Sequence, residues 1–588
     1  MKESPSYSTG NNRAVLVLCD SRQVERYAAV APAFIAALEH WGMPYFRHDL
    51  AQGALSAEML ARCAALLLAQ QGLGAALTPD AAHLVAEAVA DGLGYVGGDS
   101  DIGSLPIALQ HALGVSVQDI QPAMGVQTLD VGHFVSAWQM PASRYDFKRP
   151  LEMTHVLPAM SRVRVLLESD GHPALWVTQY GRGRMVQWAL PPLLWQYEAF
   201  GHCEGLDDLL WRGLVWAARK PFAMLAMPPF STAVVGDAIG SHDFAWIEAL
   251  CRRGFPPNVG IFPDDVDALS EIRGQSSFFD RAVESMRHYA GSGQAEFSPH
   301  AATFNRAYLL YSRASGSEIS TAELAQRLAA VDKQFGRYGV PWARTLNPHY
   351  GQLGRNALPF LLQRGVQFSL SELLPGESYE GERRLWGGAP FGHPGFTIAP
   401  LPQSPDFYVV TSSCAYHGAI VPTGPGAFRL RPGAYMMQND LMWGRTRWKG
   451  HCQIDDWEAM AQAAARQIRL GLNALFFAAP KTNEQCIARV SLDEWSVLWR
   501  EIERRVAGYE RRPMLYSDIA VYARARHRTR LAGALWDGAV LKCELEGSPD
   551  VPLLLYVWSD FGDSEHVVYR YEKIEAFTGA RSVAFAAR

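Results

Sequence analysis

The stretch Ser231–Phe262, STAVVGDAIGSHDFAWIEALCRRGFPPNVGIF, decides the reading of the fold. Thr232 to Val235 predict a strand, followed by a polar turn carrying Asp237, His242 and Asp243, and then a helix closed by Gly254. A second apolar strand, Asn258 to Phe262, follows at once. Strand, acidic turn, helix, "GFPPN" and strand make the opening βα unit of a parallel α/β sheet or barrel. Such folds carry their chemistry at the C-terminal ends of strands, where this turn puts a carboxylate and an imidazole.

Downstream, strand and helix patterns alternate as far as about residue 512, with polar residues at the strand ends. AEFSPHA, VQFSLSE, DFYVVTSS and NALFFAA read as strands, and a Gly- and Pro-rich insertion occupies 373–405. This pattern predicts a deformed (β/α) barrel with incomplete closure. Ser491 with Glu494 forms a capping box that fixes the start of its last helix. Upstream, AVLVLCD, AALLLA and GYVGGD are continuous apolar strands separated by helices, the mark of a parallel sheet covered on both faces. Past 515 the chain turns to short β-rich runs, expected to form a small antiparallel domain packed on the barrel. The predicted organisation is a disordered tail over 1–12, an α/β domain over 13–222, a barrel over 223–514 and a β domain over 515–588.

Composition narrows the function classes. A chain of 588 residues, 48% hydrophobic and 19% charged, is an ordinary globular protein of roughly two to four domains. The net charge of -5 argues against a general nucleic-acid binder. The opening MKESPSYSTGNN lacks a signal's apolar core, and no apolar run reaches the length of a bilayer span. The eight cysteines contain no CxxC pair and read as reduced and structural, so a cytoplasmic location is expected.

Four places carry a family resemblance. VVGDAIGSH, AEFSPHAATF, RTLNPHYGQLGRNALPFLLQRGVQF and FFAAPKTNEQCIARVSLDEW resemble, in order and spacing, the motifs of the polysaccharide-deacetylase superfamily. The resemblance covers about residues 231–512. It implies a divalent metal, zinc being the expected ion, held by an Asp and two His, with a second Asp as base and a late His on the leaving group. Three family positions differ here: Gly236 precedes Asp237, Phe304 stands where a second His is expected, and Asn483 stands in place of the late His. Residues 13–220 resemble the class I glutamine-amidotransferase-like, flavodoxin-type fold. The place of that fold's nucleophile is occupied by Gln70 and Gln71, so this domain is read as non-catalytic.

The expected metal ligands are Asp237, His300 and His242, with His349 the competing candidate for the third place. Asp237, Asp243, His349 and Glu484 are the candidate catalytic groups. Arg344, Asn347, Tyr350, Trp386, Trp443 and Asn483 are the candidate substrate contacts, the aromatic ones for stacking on sugar rings. Structural readings stand beside these: Asp243 as a helix N-cap, His242 as a solvated turn residue, Glu296 as a support for neighbouring backbone, and Asp264 and Asp265 as a solvated turn. The expected function is metal-dependent removal of acetyl groups from an acetylated sugar or polysaccharide. The alternative is a degenerate member of the fold that binds a glycan or a protein partner. Glycoside cleavage would need paired carboxylates, and the sequence shows no convincing pair.

Overall fold

A computed structural model describes residues 11–266, 276–303, 309–312, 315–371, 373–377, 390–393, 395–412, 420–424, 427–430, 457–488 and 490–586. The chain forms two compact units. One is Met1–Ala226 together with Ala525–Arg588, and the other is Met227–Arg524.

The first unit is built on a nine-stranded sheet. The runs Ala14–Cys19 and Cys63–Leu68 are buried at every residue, which requires cover on both faces. Parallel ladders join Tyr45–Asp49, Ala14–Cys19, Cys63–Leu68, Gly94–Gly97 and Gly183–Trp188 in that order. From Gly183–Trp188 the sheet continues antiparallel through His172–Tyr180, Arg164–Ser169, Val115–Thr128 and Arg144–Pro158. Gln70 is fully buried and exchanges hydrogen bonds with the backbone of Asp20, which is a structural tie between two strand ends. The strands after Ala525 belong to this unit, not to the barrel region onto which sequence reading packed them. The physical reason is a ladder: Phe222–Met224 pairs antiparallel with Leu553–Phe561.

The second unit carries the motifs. Glu296–Pro299, Pro257–Ile261, Ala233–Ala238 and Lys481–Asn483 form a four-stranded parallel sheet in that order. A second sheet runs Thr345–Leu346, Phe368–Ser369, Ser404–Ser412 and Phe396–Leu401, its last pair antiparallel. An isolated parallel bridge joins Phe297 to Trp342, three residues before Thr345–Leu346. Alternation along each strand separates two environments. Ala233, Val235, Val259, Ile261, Phe297 and Leu346 join the apolar core. Val234 apart, their neighbours on the other face are small or polar. Asn258 donates to Glu296 Oε1 (2.7 Å) and to the Thr345 carbonyl (3.1 Å), while Ser517 N donates to Glu296 Oε1 (3.0 Å). Glu296 thus supports backbone at the N-terminal ends of the strands, as its structural reading expected.

Burial pushes the Glu296 carboxyl up to about 7 against the pull of the Asn258 and Ser517 hydrogen bonds. Because the folded value is raised, the folded state holds a proton that the unfolded chain has lost between about pH 4.5 and 7. Stability therefore falls with rising pH through that window and levels above it. Glu296→Gln is expected to become progressively more stable than the parent from pH 5 to 7.5, by up to about 3 kcal/mol at the plateau. Thermal unfolding of both proteins across that range checks this, and a difference independent of pH would refute it.

Candidate metal centre

Asp237 sits at a break in the parallel ladder: register with the neighbouring strand shifts between Val235 and Ala238. Its backbone is left-handed, φ 53°, a conformation costly for a residue with a Cβ and concentrated at functional sites. His300 follows the strand Glu296–Pro299, its N–H donating to the Ile261 carbonyl (2.9 Å). His349 follows Thr345–Leu346, and its N–H donates to the His300 carbonyl (2.9 Å). Three strand ends thereby deliver one carboxylate and two imidazoles to one place. All three are buried, and one ligand atom from each lies within 4.8 Å of the others.

Asn347 organises them. Its N–H donates to Ser298 Oγ (3.2 Å), its Nδ2 to the Val235 carbonyl (3.2 Å), and its carbonyl accepts from His300 Nδ1 (2.5 Å). A carbonyl can only accept, so the proton resides on Nδ1 and the Nε2 lone pair is left facing Asp237 Oδ1 at 3.2 Å. His349 Nε2 lies 3.5 Å from the same oxygen. A lone pair and a carboxylate oxygen at this separation call for positive charge between them. A second proton on His300 would supply it, and so would a metal ion. The two separations from Asp237 fit an ion: ligands at about 2.0–2.1 Å from tetrahedral zinc stand roughly 3.3–3.4 Å apart. A histidine whose other nitrogen donates to a carbonyl is the usual outer arrangement of such sites. Burial pushes Asp237 up, but the charge and Nε2 hydrogen bond of a doubly protonated His300, with the charges of His349 and Lys481, outweigh it and hold the carboxyl below its ordinary value.

The walls are apolar on one side and tight on the other. Phe262 is fully buried, its ring centre 5.3 Å from His300 and 5.0 Å from His349. Two glycines make room for the imidazole. A Cβ on Gly260 would stand 2.6 Å from His300 Nδ1, and one on Gly236 would stand 2.8 Å from Asn483 Oδ1 and 3.3 Å from His300 Nε2. Asn483, paired in register with Gly236, therefore lines the site. Tyr350 is half-buried with its ring 4.1 Å from that of His349, and its backbone too is left-handed.

The other expected residues lie elsewhere. His242 is exposed at φ 52° in a short 3-10 turn and is not among the clustered ligands; His349 takes its place. Asp243 neither caps the helix, which begins at Trp246, nor joins the site, because its carboxylate pairs with Arg281 (2.9 Å). Arg344 precedes its strand and pairs with Asp518 (2.5 Å) at the opposite end from His349. Glu484 is fully buried and accepts from Ile239 N (2.5 Å) and Trp246 Nε1 (3.1 Å), so it anchors the turn after Asp237 and does not face the ligands as a base. Asp264 accepts from Gln334 (2.5 Å). Trp386, Trp443 and Phe304 lie outside the described residues.

No family model matches the chain, and no curated protein does. Among solved structures it is similar to a ThuA-like protein from Bacteroides uniformis, at 14% identity and a TM-score of 0.28, over 36% of this chain and 94% of that one. A cytoplasmic protein from Salmonella typhimurium matches at 14% and 0.27, over 35% of this chain and all of that one. A β-galactosidase from Bacillus circulans sp. alkalophilus matches at 15% and 0.25, over 37% of this chain and 33% of that one. At these scores none of the three bears on function. Among the described residues no helix is long and apolar enough to cross a membrane.

Proposed function

We propose that the second unit is a metal-dependent hydrolase that removes acetyl groups from an acetylated sugar or polysaccharide, with Asp237, His300 and His349 holding one divalent ion, zinc by preference. The observation that carries this is the convergence of the three ligand atoms with the His300 proton committed to Asn347. Three protein ligands leave a position open for water or substrate. When bound, such an ion lowers the pKa of a water and polarises an acyl carbonyl. The chain's own part is to hold the ligands and shape the approach. Phe262 covers the imidazoles on one side. The Asn483 amide stands where it can hydrogen-bond a substrate oxygen, and the Tyr350 ring, beside His349, offers a face to a sugar. In this reading the run of strands from Lys481–Asn483 through Phe396–Leu401 is a deformed (β/α) barrel of polysaccharide-deacetylase type. The first unit is then a non-catalytic glutamine-amidotransferase-like, flavodoxin-type domain, and the carbohydrate is met by the second.

One observation favours the degenerate reading, in which the same centre binds a glycan without hydrolysing it. The family's base would stand at Gly236, and Asn483 fills the space its side chain would need. Acetate release from acetylated xylan and from N-acetylglucosamine oligomers separates the two. Zinc-loaded protein is expected to release acetate, to lose that activity on treatment with 1,10-phenanthroline and to regain it with added zinc. Release that persists in metal-free protein would refute the hydrolase as proposed. Zinc-dependent sugar binding without release would establish the degenerate reading.

A further inference from the structure

Asp237 reaches its ligand position through an unfavourable backbone conformation, and something must hold it there. The segment that follows it, Ala238 to Ser241, contributes no ligand and leads through Gly240 (φ 89°) into the left-handed pair His242 and Asp243. So many positive φ values in one turn require an external anchor. The anchor is the carboxylate of Glu484, one residue beyond Asn483 at the end of the adjacent strand. Its Oε2 accepts from Ile239 N and its Oε1 from Trp246 Nε1. Burial pushes this carboxyl up to about 7 against the pull of the Ile239, Ser241, Trp246 and Gly240 N–H groups. A carboxylate is acceptor-only and can satisfy several donors converging from one side, which an amide cannot.

Resting on the metal centre proposed above, we infer that Glu484 is a positioning residue. It touches no ligand atom, yet by clamping the turn after Asp237 it fixes the direction of the Asp237 carboxylate and so sets the affinity of the centre for its ion. Asn483 and Glu484 divide the work where the strand Lys481–Asn483 passes into the helix Glu484–Ile487. Asn483 faces the ligands, and Glu484 faces the turn that carries one of them. The geometry of the metal ligands thereby depends on a residue remote in sequence, in the manner of outer-shell partners generally.

Glu484→Gln keeps the volume and removes the second acceptor oxygen. In the full-length protein it is expected to weaken zinc binding by about 10–100-fold, the size typical of outer-shell changes. With Co(II) in place of zinc, the visible d–d spectrum of the variant is expected to differ in position or intensity from the parent's. A purely structural role would lower the thermal midpoint of the metal-free protein and leave both readouts alone, and that result would overturn the inference. Trp246→Phe removes one anchor and keeps the carboxylate, so it carries the same test if Glu484→Gln fails to fold. It is expected to cost several-fold in zinc affinity, and unchanged affinity and spectrum would count against the clamp. A parent protein that binds neither Zn(II) nor Co(II) would instead overturn the metal centre itself, and this inference with it.

Discussion

Replacing His300 with alanine is expected to abolish stoichiometric zinc binding, raising the dissociation constant well beyond the roughly 10–100-fold cost of losing an outer-shell partner. The ring supplies a ligand atom 3.2 Å from Asp237 Oδ1, and nothing else among the described clustered groups stands in that position. Asp237→Ala and His349→Ala are expected to do the same, whereas His242→Ala, at an exposed position outside the cluster, should leave the metal content near one per chain. Elemental analysis of the four variants, purified without a histidine tag, decides the ligand set. Loss of metal in the His242 variant with retention in the His349 variant would return the third ligand to the turn after Asp237.

The second large effect needs no change to any ligand. Gly260→Ala would place a methyl 2.6 Å from His300 Nδ1, closer than real Cβ contacts allow, and 3.0 Å from Asn347 Nδ2, which is tight. The neighbours are a ring and an amide already held by hydrogen bonds, so the imidazole must turn and its bond to the Asn347 carbonyl must part. The expected outcome is a loss of about 1–3 kcal/mol of stability from overpacking and zinc binding weakened by about 10–100-fold. Gly336, inside the helix Thr321–Tyr338 with open space around its Cβ position, is the matched control. Gly336→Ala is expected to be neutral or slightly stabilising, since alanine is the better helix former. Zinc titrations and thermal melts of the pair check this, and a Gly260 variant indistinguishable from the control would show that His300 is not pinned as described.

What sequence could and could not give follows from the geometry of strands. Asp237 and His300 were legible because polar residues at the ends of apolar strands have few structural reasons to be there. His349 was legible only as an alternative, because no local pattern tells a distant strand end from a near turn as the source of a third ligand. Proximity in sequence favoured His242, but the left-handed turn that presents Asp237 carries His242 out to solvent. Glu484 was misassigned although a signal existed. Glu484 directly follows the site-lining Asn483 and opens a helix, so its side chain leaves the chain in a different direction. Arg344 was misassigned because its strand, Thr345–Leu346, is only two residues long, so polar residues flank both ends within four positions and no pattern marks which end carries the site. The room-making role of Gly260 had no signal at all, since it depends on a ring brought in from another strand. In the first unit, the apolar strand runs announced the parallel sheet, while the ladder from Phe222–Met224 to Leu553–Phe561 joins segments too far apart for any local pattern to pair.

That long-range ladder has a consequence for how the chain is made. The second unit, Met227–Arg524, is an insertion: every residue of it is synthesised before Leu553–Phe561 exists to pair with Phe222–Met224. On a translating ribosome, therefore, the inserted unit can finish folding while its host is still incomplete. The nine-stranded sheet, drawn entirely from strands between Ala14 and Trp188, is available early, and the strands after Ala525 close the first unit last. Domains that fold as they emerge escape much of the misassembly open to a full-length unfolded chain. Vectorial synthesis thus gives this chain an order of assembly in which the inserted unit comes to maturity before the unit that flanks it.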